Sequence, residues 1–481
     1  MAHDQMRLPL WGDAELLSST DMANARSARP AFRFVDLFAG VGGFHHALAP
    51  MGGECVLAVE VDLECRTVYQ AAFPEMDRDR IVTDIRQLTR ESSHPDAPEL
   101  SVEEIRRRVP PHEVLCAGFP CQPFSKSGSQ MGFRDRTRGT LFYDVMTIVL
   151  ARSPEYVLLE NVRNLAGPRH ADTWRTIIKS LREAGYRVAD EPAVLSPHLL
   201  APEDGGAPQM RERVFILARR VLPAATEEAR QGVPLAPRQP SKGWDPHRWD
   251  IRTVLDVEVP LDVYGIRAVE RGWLAAWQAF VQGIDDEILP GFPIWVDAFR
   301  AVPHVPAGTP WWEEDFLHKN SYFYRRHRRF IDPWLKQRWG PIQERVTDFP
   351  PSRRKFEWQA RRAQATAASR DLDGLVAHLR PSGIRVKPPS YLPALVAITQ
   401  TSVLGPKVTG SDWRRLTPRE AARLQGMPFE GFERAAMGDK AIYRQLGNAV
   451  NVGVVQHLAD LLFEDGAAPW ACASRRISAV G

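Results

Sequence analysis

The stretch Phe32-Arg-Phe-Val-Asp-Leu-Phe38, followed by Ala39-Gly-Val-Gly-Gly43, decides the fold of this 481-residue chain. The apolar run predicts a buried strand, and the residues from Phe44 to Ala49 predict a helix. Glycines between a strand and a helix let the backbone approach a ligand at the strand end, as in the first unit of a nucleotide-type α/β fold. The spacing differs from the G-x-G-x-x-G of dinucleotide-binding proteins, which argues against a dehydrogenase.

Two further predicted strands end in acidic residues. The strand Cys55–Val59 leads into Glu60, and the strand that begins at Ile81 contains Asp84. An acidic residue at the end of the second strand of such a fold holds ribose hydroxyls. Three strand ends that meet at one crevice therefore predict a site for an adenosine-bearing ligand.

A cysteine follows a fourth predicted strand, Val114–Ala117, which breaks at Gly118 and Pro120 and presents Cys121. The cysteine thiol is the strongest nucleophile among the side chains, although only a few per cent is thiolate at neutral pH. A lone cysteine is more often a small buried hydrophobe. The two flanking prolines and the polar residues that follow argue against burial, so at this point both interpretations stay open.

Charged residues lie at the same predicted edge of the sheet. The helix predicted to run to about Arg152 is followed by a strand, Tyr156–Leu159, that ends in Glu160. Desolvation raises the pKa of a carboxyl group at such a place, which makes Glu160 a candidate general acid. Arg211 and Arg213 alternate on an extended segment, so we expect them to offer two cations to one ligand.

Residues 221–412 have a different composition, which predicts a second domain. Eleven of the fourteen tryptophans lie between Trp244 and Trp413. From Lys319 to Arg362 there are thirteen Lys and Arg residues against four Asp and Glu, with aromatic residues interleaved. This composition predicts a nucleic-acid surface, since basic groups neutralise phosphates. It also fits a solvated basic helix with an aromatic stripe that faces the core.

The C-terminal part predicts a strand over Tyr391–Gln400 and a helix that ends at Gly426, with Thr417 as N-cap and Glu420 completing a capping box. A last amphipathic helix is predicted over roughly residues 442–463.

The overall composition is that of an ordinary globular protein, with 44% apolar and 25% charged residues and a net charge of +3. Five cysteines without a C-x-x-C pair argue against a disulfide framework and a zinc site. We also see no apolar signal core near the start and no apolar run of about 18 residues. We therefore expect a cytoplasmic protein with no metal and no membrane contact.

Five segments, in this order, are similar to the motifs of the bacterial DNA (cytosine-5) methyltransferases of restriction-modification systems. They are Phe34–Phe44, Gly118–Ser125, Glu160–Val162, Gln209–Arg213 and Gln445–Asn448. The resemblance implies an α/β fold, a doubly wound Rossmann-like methyltransferase sheet with a second, smaller target-recognition domain. The implied boundaries are an N-terminal arm at 1–30, a catalytic and cofactor-binding domain at 31–220, a recognition domain at 221–435, a returning C-terminal helix at 436–465 and a tail at 466–481.

The resemblance also implies a covalent mechanism on a flipped-out cytosine. Cys121 would attack carbon 6, Glu160 would protonate N3, and Arg213, with Arg211 beside it, would hold O2. S-adenosylmethionine would be the methyl donor, bound by Phe38, Gly40, Val41, Gly43, Glu60, Val61, Asp84, Ile85, Pro120, Leu141, Asn448 and Val450. DNA would be contacted by Gln122, Ser125, Ser127, Arg325, Arg326, Arg328 and Arg329.

The implied partner is double-stranded DNA, with a separate restriction endonuclease as cognate enzyme and no stable complex between them. The resemblance also implies that the protein is a monomer and that it associates with the nucleoid. Two alternatives stay open: an RNA cytosine-5 methyltransferase acting on tRNA, against which the long second region argues, and a non-catalytic DNA-binding regulator that uses the tryptophan-rich domain.

Overall fold

A computed structural model describes residues 30–120, 140–221, 239–285, 289–395, 402–465 and 468. The predicted N-terminal arm and C-terminal tail lie almost wholly outside these residues. The first unit has the following strands and helices: β1 (Phe32–Leu37), α1 (Gly43–Leu48), β2 (Gly53–Val59), α2 (Leu63–Ala72), β3 (Ile81–Val82), α3 (Arg86–Thr89), α4 (Val102–Arg108), β4 (Val114–Gly118), α5 (Leu141–Arg152), β5 (Tyr156–Val162), α6 (Ala171–Glu183), β6 (Tyr186–Val188), β7 (Ala193–Leu195), β8 (Gln209–Met210) and β9 (Arg213–Arg220).

The central sheet of this unit has the strand order β3-β2-β1-β4-β5-β9-β6, and β7 also pairs with β9. The strands from β3 to β5 are parallel, whereas β9 runs antiparallel to β5. One face packs on α1, α2 and the C-terminal helix, and the other packs on α4, α5 and α6. Because both faces are covered, the strands are mostly apolar, as in other parallel sheets, with Asp36 of β1 as a buried exception. The predicted fold class is confirmed.

A second sheet lies in the region predicted to be the recognition domain, and we call this region the recognition unit. The elements of this region are α7 (Leu261–Tyr264), α8 (Ala268–Gly283), β10 (Ile294–Trp295), α9 (Trp311–Lys336), β11 (Arg338–Trp339), β12 (Glu344–Arg345), β13 (Lys355–Trp358), β14 (Val376–Arg380), β15 (Gly383–Lys387), β16 (Leu392–Pro393), β17 (Val403–Leu404), α10 (Pro406–Thr409) and β18 (Arg414–Arg415). The sheet has the order β10-β13-β15-β14-β17-β18. Trp277 stacks on Phe356 at a centroid distance of 4.5 Å and contacts Trp334, so the tryptophans of this region build its own core.

Of the strand predicted over Tyr391–Gln400, the structure describes residues 391–395, and among these only β16, Leu392–Pro393, pairs; it runs parallel to β8 of the first unit. Pro393 has no N–H to donate to a longer ladder, and residues 396–401 lie outside the described part of the chain. β16 therefore ties the recognition unit to the segment that leads into Arg211.

The C-terminal region contains α11 (Pro418–Leu424), α12 (Glu430–Arg434), α13 (Asp439–Asn448) and α14 (Val452–Asp465). The predicted capping box of α11 is confirmed. The single helix predicted over 442–463 is wrong, because Ala449 is extended, with ψ of 152°, and separates α13 from α14. Asn451 then accepts a hydrogen bond from the Val454 amide and starts the new helix. Phe463 of α14 packs on Phe32 of β1, so the chain returns to its first strand.

Candidate active site

Glu160 lies at the carboxyl end of β5, in register with Gly118 of β4. Its side chain is buried, and the residue is only 9% exposed. The Glu160 Oε1 atom is 3.1 Å from Nε of Arg213. Burial raises the pKa of Glu160, while the charges of Arg213 and Arg211 act in the opposite direction. A carboxyl group with a raised pKa therefore lies beside the strand that leads to the cysteine.

The backbone that enters the cysteine segment is fixed by a buried amide. Asn161 donates from Nδ2 to the carbonyl oxygen of Phe119 at 2.7 Å, two residues before Cys121. Asn161 was not among the predicted site residues, although it stands inside the Glu160-Asn-Val162 motif. Four predicted residues lie outside the described part of the chain: Cys121, Gln122, Ser125 and Ser127.

The sequence predicted that Arg211 and Arg213 would offer their charges to one ligand. In the structure, the two arginines have different partners. Arg211 is 1% exposed, and its guanidinium donates to the carbonyl oxygens of Gly447, at 2.9 Å, and Ala449, at 2.5 Å. Its backbone amide donates to the buried hydroxyl of Ser196. Burial and the charge of Arg213 lower the pKa of Arg211 to about 9. Arg211 thus holds the turn between α13 and α14, and only Arg213 ion-pairs with Glu160.

The glycine loop and Glu60 form a cleft at the same edge of the sheet. The Glu60 carboxylate accepts hydrogen bonds from the amides of Gly40, at 2.8 Å, and Asp62, at 2.7 Å. Gly40 has φ of +57°, and no atom lies within 4 Å of the position that a Cβ would take. Phe38 also has a left-handed φ of +60°. Such backbone conformations in non-glycine residues cost roughly 1–3 kcal/mol and cluster at ligand sites.

The other predicted cofactor residues have the following positions in the structure. Val61 is 74% exposed beside Glu60, which leaves an apolar surface open to a planar ligand. Asp84 accepts from the Arg86 amide at the start of α3, and Ile85 next to it is buried. Val41 is buried within the loop, Leu141 begins α5, Pro120 is exposed after β4, and Asn448 is exposed at the end of α13.

The C-terminal segment closes against the glycine loop. A Cβ on Gly43 would lie 2.5 Å from Cγ2 of Val450, so the close contact of the two segments requires glycine at this position. Since Arg211 holds the carbonyl oxygens on either side of Asn448, the glycine loop, the arginine segment and the C-terminal turn are connected. Residues that are more than 400 positions apart thus form one cleft.

Comparison with known proteins identifies the family. The model of the C-5 cytosine-specific DNA methylases matches residues 32–234 and 335–464. The chain belongs to this family. C-5 cytosine methylases transfer a methyl group from S-adenosylmethionine to carbon 5 of cytosine in DNA, and this chain is an enzyme of that kind.

The methylase is 38% identical over 507 aligned residues to the Type II methyltransferase M.AluI of Cellulosimicrobium cellulans, across 90% of this chain and 92% of the relative. It is 38% identical to the DNA-cytosine methyltransferase of Escherichia coli K12, across 40% of this chain and 42% of that protein. It is 37% identical to M.HhaI of Haemophilus parahaemolyticus, across 39% of this chain and 49% of that protein.

The cleft of this methylase fits an adenosine-bearing donor. Glu60 uses two of the roughly four lone-pair positions of a carboxylate, which leaves acceptors for ribose hydroxyls. The open space over Gly40 and the exposed Val61 provide room and an apolar surface beside it. Among the described residues, no three metal-ligating side chains come together, and no helix is long and apolar enough to cross a membrane.

The predicted DNA-binding arginines lie on α9 of the recognition unit. Arg325, Arg326, Arg328 and Arg329 are all exposed, while Phe323 of the same helix is buried. Part of their charge is already engaged, since Arg328 pairs with Asp332 at 3.0 Å. The basic helix thus has the core-facing aromatic residues that its composition predicted.

Proposed function

We propose that this methylase acts on a specific duplex sequence through a covalent bond between Cys121 and carbon 6 of a flipped-out cytosine. The observation that carries the proposal is the position of Glu160. It is buried, its pKa is raised, it is paired with Arg213, and it lies beside the strand from which the chain reaches Cys121. Carbon 5 of cytosine is a weak nucleophile, and a protonated carboxyl group next to a thiol supplies what its activation requires.

In the proposed reaction, the Cys121 thiol first loses its proton to solvent, and the thiolate sulfur forms a bond to carbon 6 while Glu160 gives its proton to N3. This addition makes the ring an enamine, with carbon 5 as the nucleophile and no charge built up on the ring. Arg213 holds O2 and orients Glu160, and Arg211 acts through the turn that it fixes. After methylation, carbon 5 loses its proton to a base, the sulfur–carbon bond breaks to release the thiolate, and N3 returns its proton to Glu160. The cytosine must first leave the duplex, which costs a few kcal/mol.

S-adenosylmethionine supplies an electrophilic methyl group when it is bound. We assign its ribose to Glu60, its adenine to Val61, Asp84 and Ile85, and its methionine part to the glycine loop and C-terminal turn. The full set is the one predicted from sequence: Phe38, Gly40, Val41, Gly43, Glu60, Val61, Asp84, Ile85, Pro120, Leu141, Asn448 and Val450.

The relatives suggest a biological setting. M.AluI and M.HhaI are named as Type II methyltransferases, and a separate restriction endonuclease is the proposed counterpart of this enzyme. We propose a monomer that acts on DNA in the cytoplasm, with Gln122, Ser125 and Ser127 near the flipped base. The proposed boundaries of its catalytic and recognition domains are those predicted above. The 90% alignment with M.AluI supports one continuous recognition unit.

The test is methyl transfer from radiolabelled S-adenosylmethionine to duplex DNA and, separately, to tRNA. We expect counts in DNA only, and no counts in either for Cys121→Ser, which should still bind the donor. Transfer to tRNA alone would favour the RNA enzyme. DNA binding without any transfer by the wild type would favour the non-catalytic regulator, and full activity of Cys121→Ser would exclude the covalent route.

A further inference from the structure

The sheet of the recognition unit has two faces of opposite character. On one face Phe356, Trp358, Ile384 and Val386 pack on the tryptophan core under α8 and α9. The alternate residues of the same strands point the other way, because side chains alternate along a strand. We call this second side the outer face.

The outer face is basic. It presents Lys355 from β13, Arg380 from β14, and Arg385 and Lys387 from β15, with Glu357 as the carboxylate among them. Glu357 is paired with Arg385 at 2.7 Å, so it forms no ion pair with Lys355, Arg380 or Lys387.

These three cations have weak or missing partners among the described residues. The Lys355 Nζ atom lies 4.9 Å from the ring centre of Trp295, and the Lys387 Nζ atom lies 4.0 Å from that of Tyr391. Arg380 reaches the Ser382 hydroxyl at 3.1 Å, but its buried Nε has no partner. Lys387 is only 9% exposed. Half-buried cations without counter-ions are unfavourable unless an anion joins them.

One end of the outer face lies against the catalytic unit. Val376, directly opposite Lys387, and Leu404 belong to the same apolar cluster as Phe34 of β1. Tyr391, which covers Lys387, is followed by β16, which pairs with β8 just before Arg211. The outer face therefore starts at the junction with the first unit, where Lys387 is buried, and Arg385 and Arg380 follow outward along β15 and β14.

The arginines of α9 lie elsewhere on the unit. Helix α9 packs on the tryptophan core through Phe323, Ile331 and Trp334, which is the side of the sheet opposite to the outer face. Its arginines share their helix with Asp315 and Asp332, which already pair with Lys319 and Arg328. The charges of the outer face are less compensated, and this face adjoins the first unit.

We propose that the outer face of the recognition sheet, through the half-buried Lys355 and Arg380, binds the sugar–phosphate backbone of the duplex substrate. The inference rests on the proposed function in that it takes duplex DNA as the ligand. The surface is complementary in charge to a polyanion, and its other end, where Lys387 is buried under Tyr391, is anchored to the first unit.

The experiment measures the affinity of the full chain for a fluorescent 30-base-pair duplex of random sequence over a series of salt concentrations. The test variant is Lys355→Gln/Arg380→Gln. The matched control, Arg107→Gln/Arg175→Gln, removes the same charge from exposed sites on α4 and α6. A third variant, Arg325→Gln/Arg329→Gln, tests α9 in the same way. Melting temperature and donor binding check that each variant is folded.

We expect the outer-face variant to bind more weakly and to lower the slope of log K against log salt by about two, roughly one per lost phosphate contact, with the control unchanged. Lys355→Gln alone, the milder change, should lower the slope by about one. An unchanged slope in the outer-face variant, or the whole loss in the α9 variant, would overturn the proposal.

Methyl transfer to DNA, measured on the same wild-type preparation, separates the two claims. Duplex binding with the expected slopes but no transfer would leave the outer face intact and refute the proposed reaction. Methyl transfer to DNA, together with an unchanged salt slope in the outer-face variant, would support the proposed reaction and refute DNA binding at the outer face.

Discussion

At the scale of single residues, burial determines the protonation of Glu160. Its pKa lies above the ordinary value of 4.5, because burial outweighs the two nearby arginines. The folded chain therefore binds this proton more tightly than the unfolded chain. The contribution to stability is complete below about pH 4.5 and is lost as the pH rises through the folded pKa.

We predict that the free energy of unfolding of the wild type, relative to Glu160→Gln, falls as the pH rises from about 4.5, since glutamine has no proton to lose. Urea titrations of both proteins over a pH series would measure the difference. A difference that stays constant with pH would show that Glu160 titrates normally.

Arg211 and Arg213 are predicted to differ in what they support. Arg211→Gln leaves the carbonyl groups of Gly447 and Ala449 without their charged donor, so we expect a loss of about 2–5 kcal/mol in unfolding free energy. Arg213→Gln should cost much less stability but lower kcat by about 10²- to 10³-fold, as for loss of one donor to a developing charge. Urea unfolding and methyl-transfer kinetics test the pair, and equal losses of stability would contradict the assignment.

Asn161 is predicted to position the cysteine segment. Asn161→Ala removes the donor to the Phe119 carbonyl, so Cys121 should be held less accurately. We expect kcat to fall by about 10²-fold, since small misplacements at a reacting centre have effects of this size, with donor affinity unchanged. A matching loss of donor affinity would indicate a general collapse of the cleft.

At the scale of elements, α11 depends on a buried ion pair. Glu420 closes the capping box with Thr417 and also pairs with the fully buried Arg414 of β18 at 2.7 Å. We predict that Glu420→Gln costs about 3–5 kcal/mol, because it leaves a buried charge unpaired, whereas Thr417→Ala costs about 1 kcal/mol. Equal costs in urea unfolding would show that the cap, and not the ion pair, dominates.

The elements predicted best from sequence are those with local determinants. Strands β1, β2, β4 and β5 and the caps of α11 follow from apolar runs, glycines and side chains close in sequence. The break between α13 and α14 combines a local cap at Asn451 with the hydrogen bonds from Arg211, which is distant in sequence and was not predicted to lie there. The pairing of β16 with β8 likewise joins segments that are distant in sequence.

The residues of the candidate site likewise fall into those that local sequence predicts and those that depend on distant contacts. Glu160, Glu60 and the glycine loop were predicted because strand ends carry recognisable residues. The partners of Arg211 and the bond from Asn161 to Phe119 join segments whose proximity appears only in the folded chain. The basic outer face was also missed, because Lys355 is about 25 to 30 residues from Arg380 and Arg385, and the pairing that brings their strands together appears only in the folded chain.

At the scale of the whole molecule, two cores are joined through one cluster. The tryptophan core supports the recognition sheet. The central sheet is covered on one face by α1, α2 and α14, and on the other face by α4, α5 and α6. Val376, Leu392 and Leu404 of the recognition region pack into the core of the catalytic unit. The outer face is thereby joined at one end to the unit that contains Glu160.

The most direct test of the central claim is base-resolution mapping of cytosine methylation in a plasmid from a methylation-free host that expresses this protein. The account predicts carbon-5 methylation of one short sequence with the wild type and none with Cys121→Ser. Methylation that persists with Cys121→Ser, or an unmethylated plasmid despite soluble, folded wild-type protein, would contradict it.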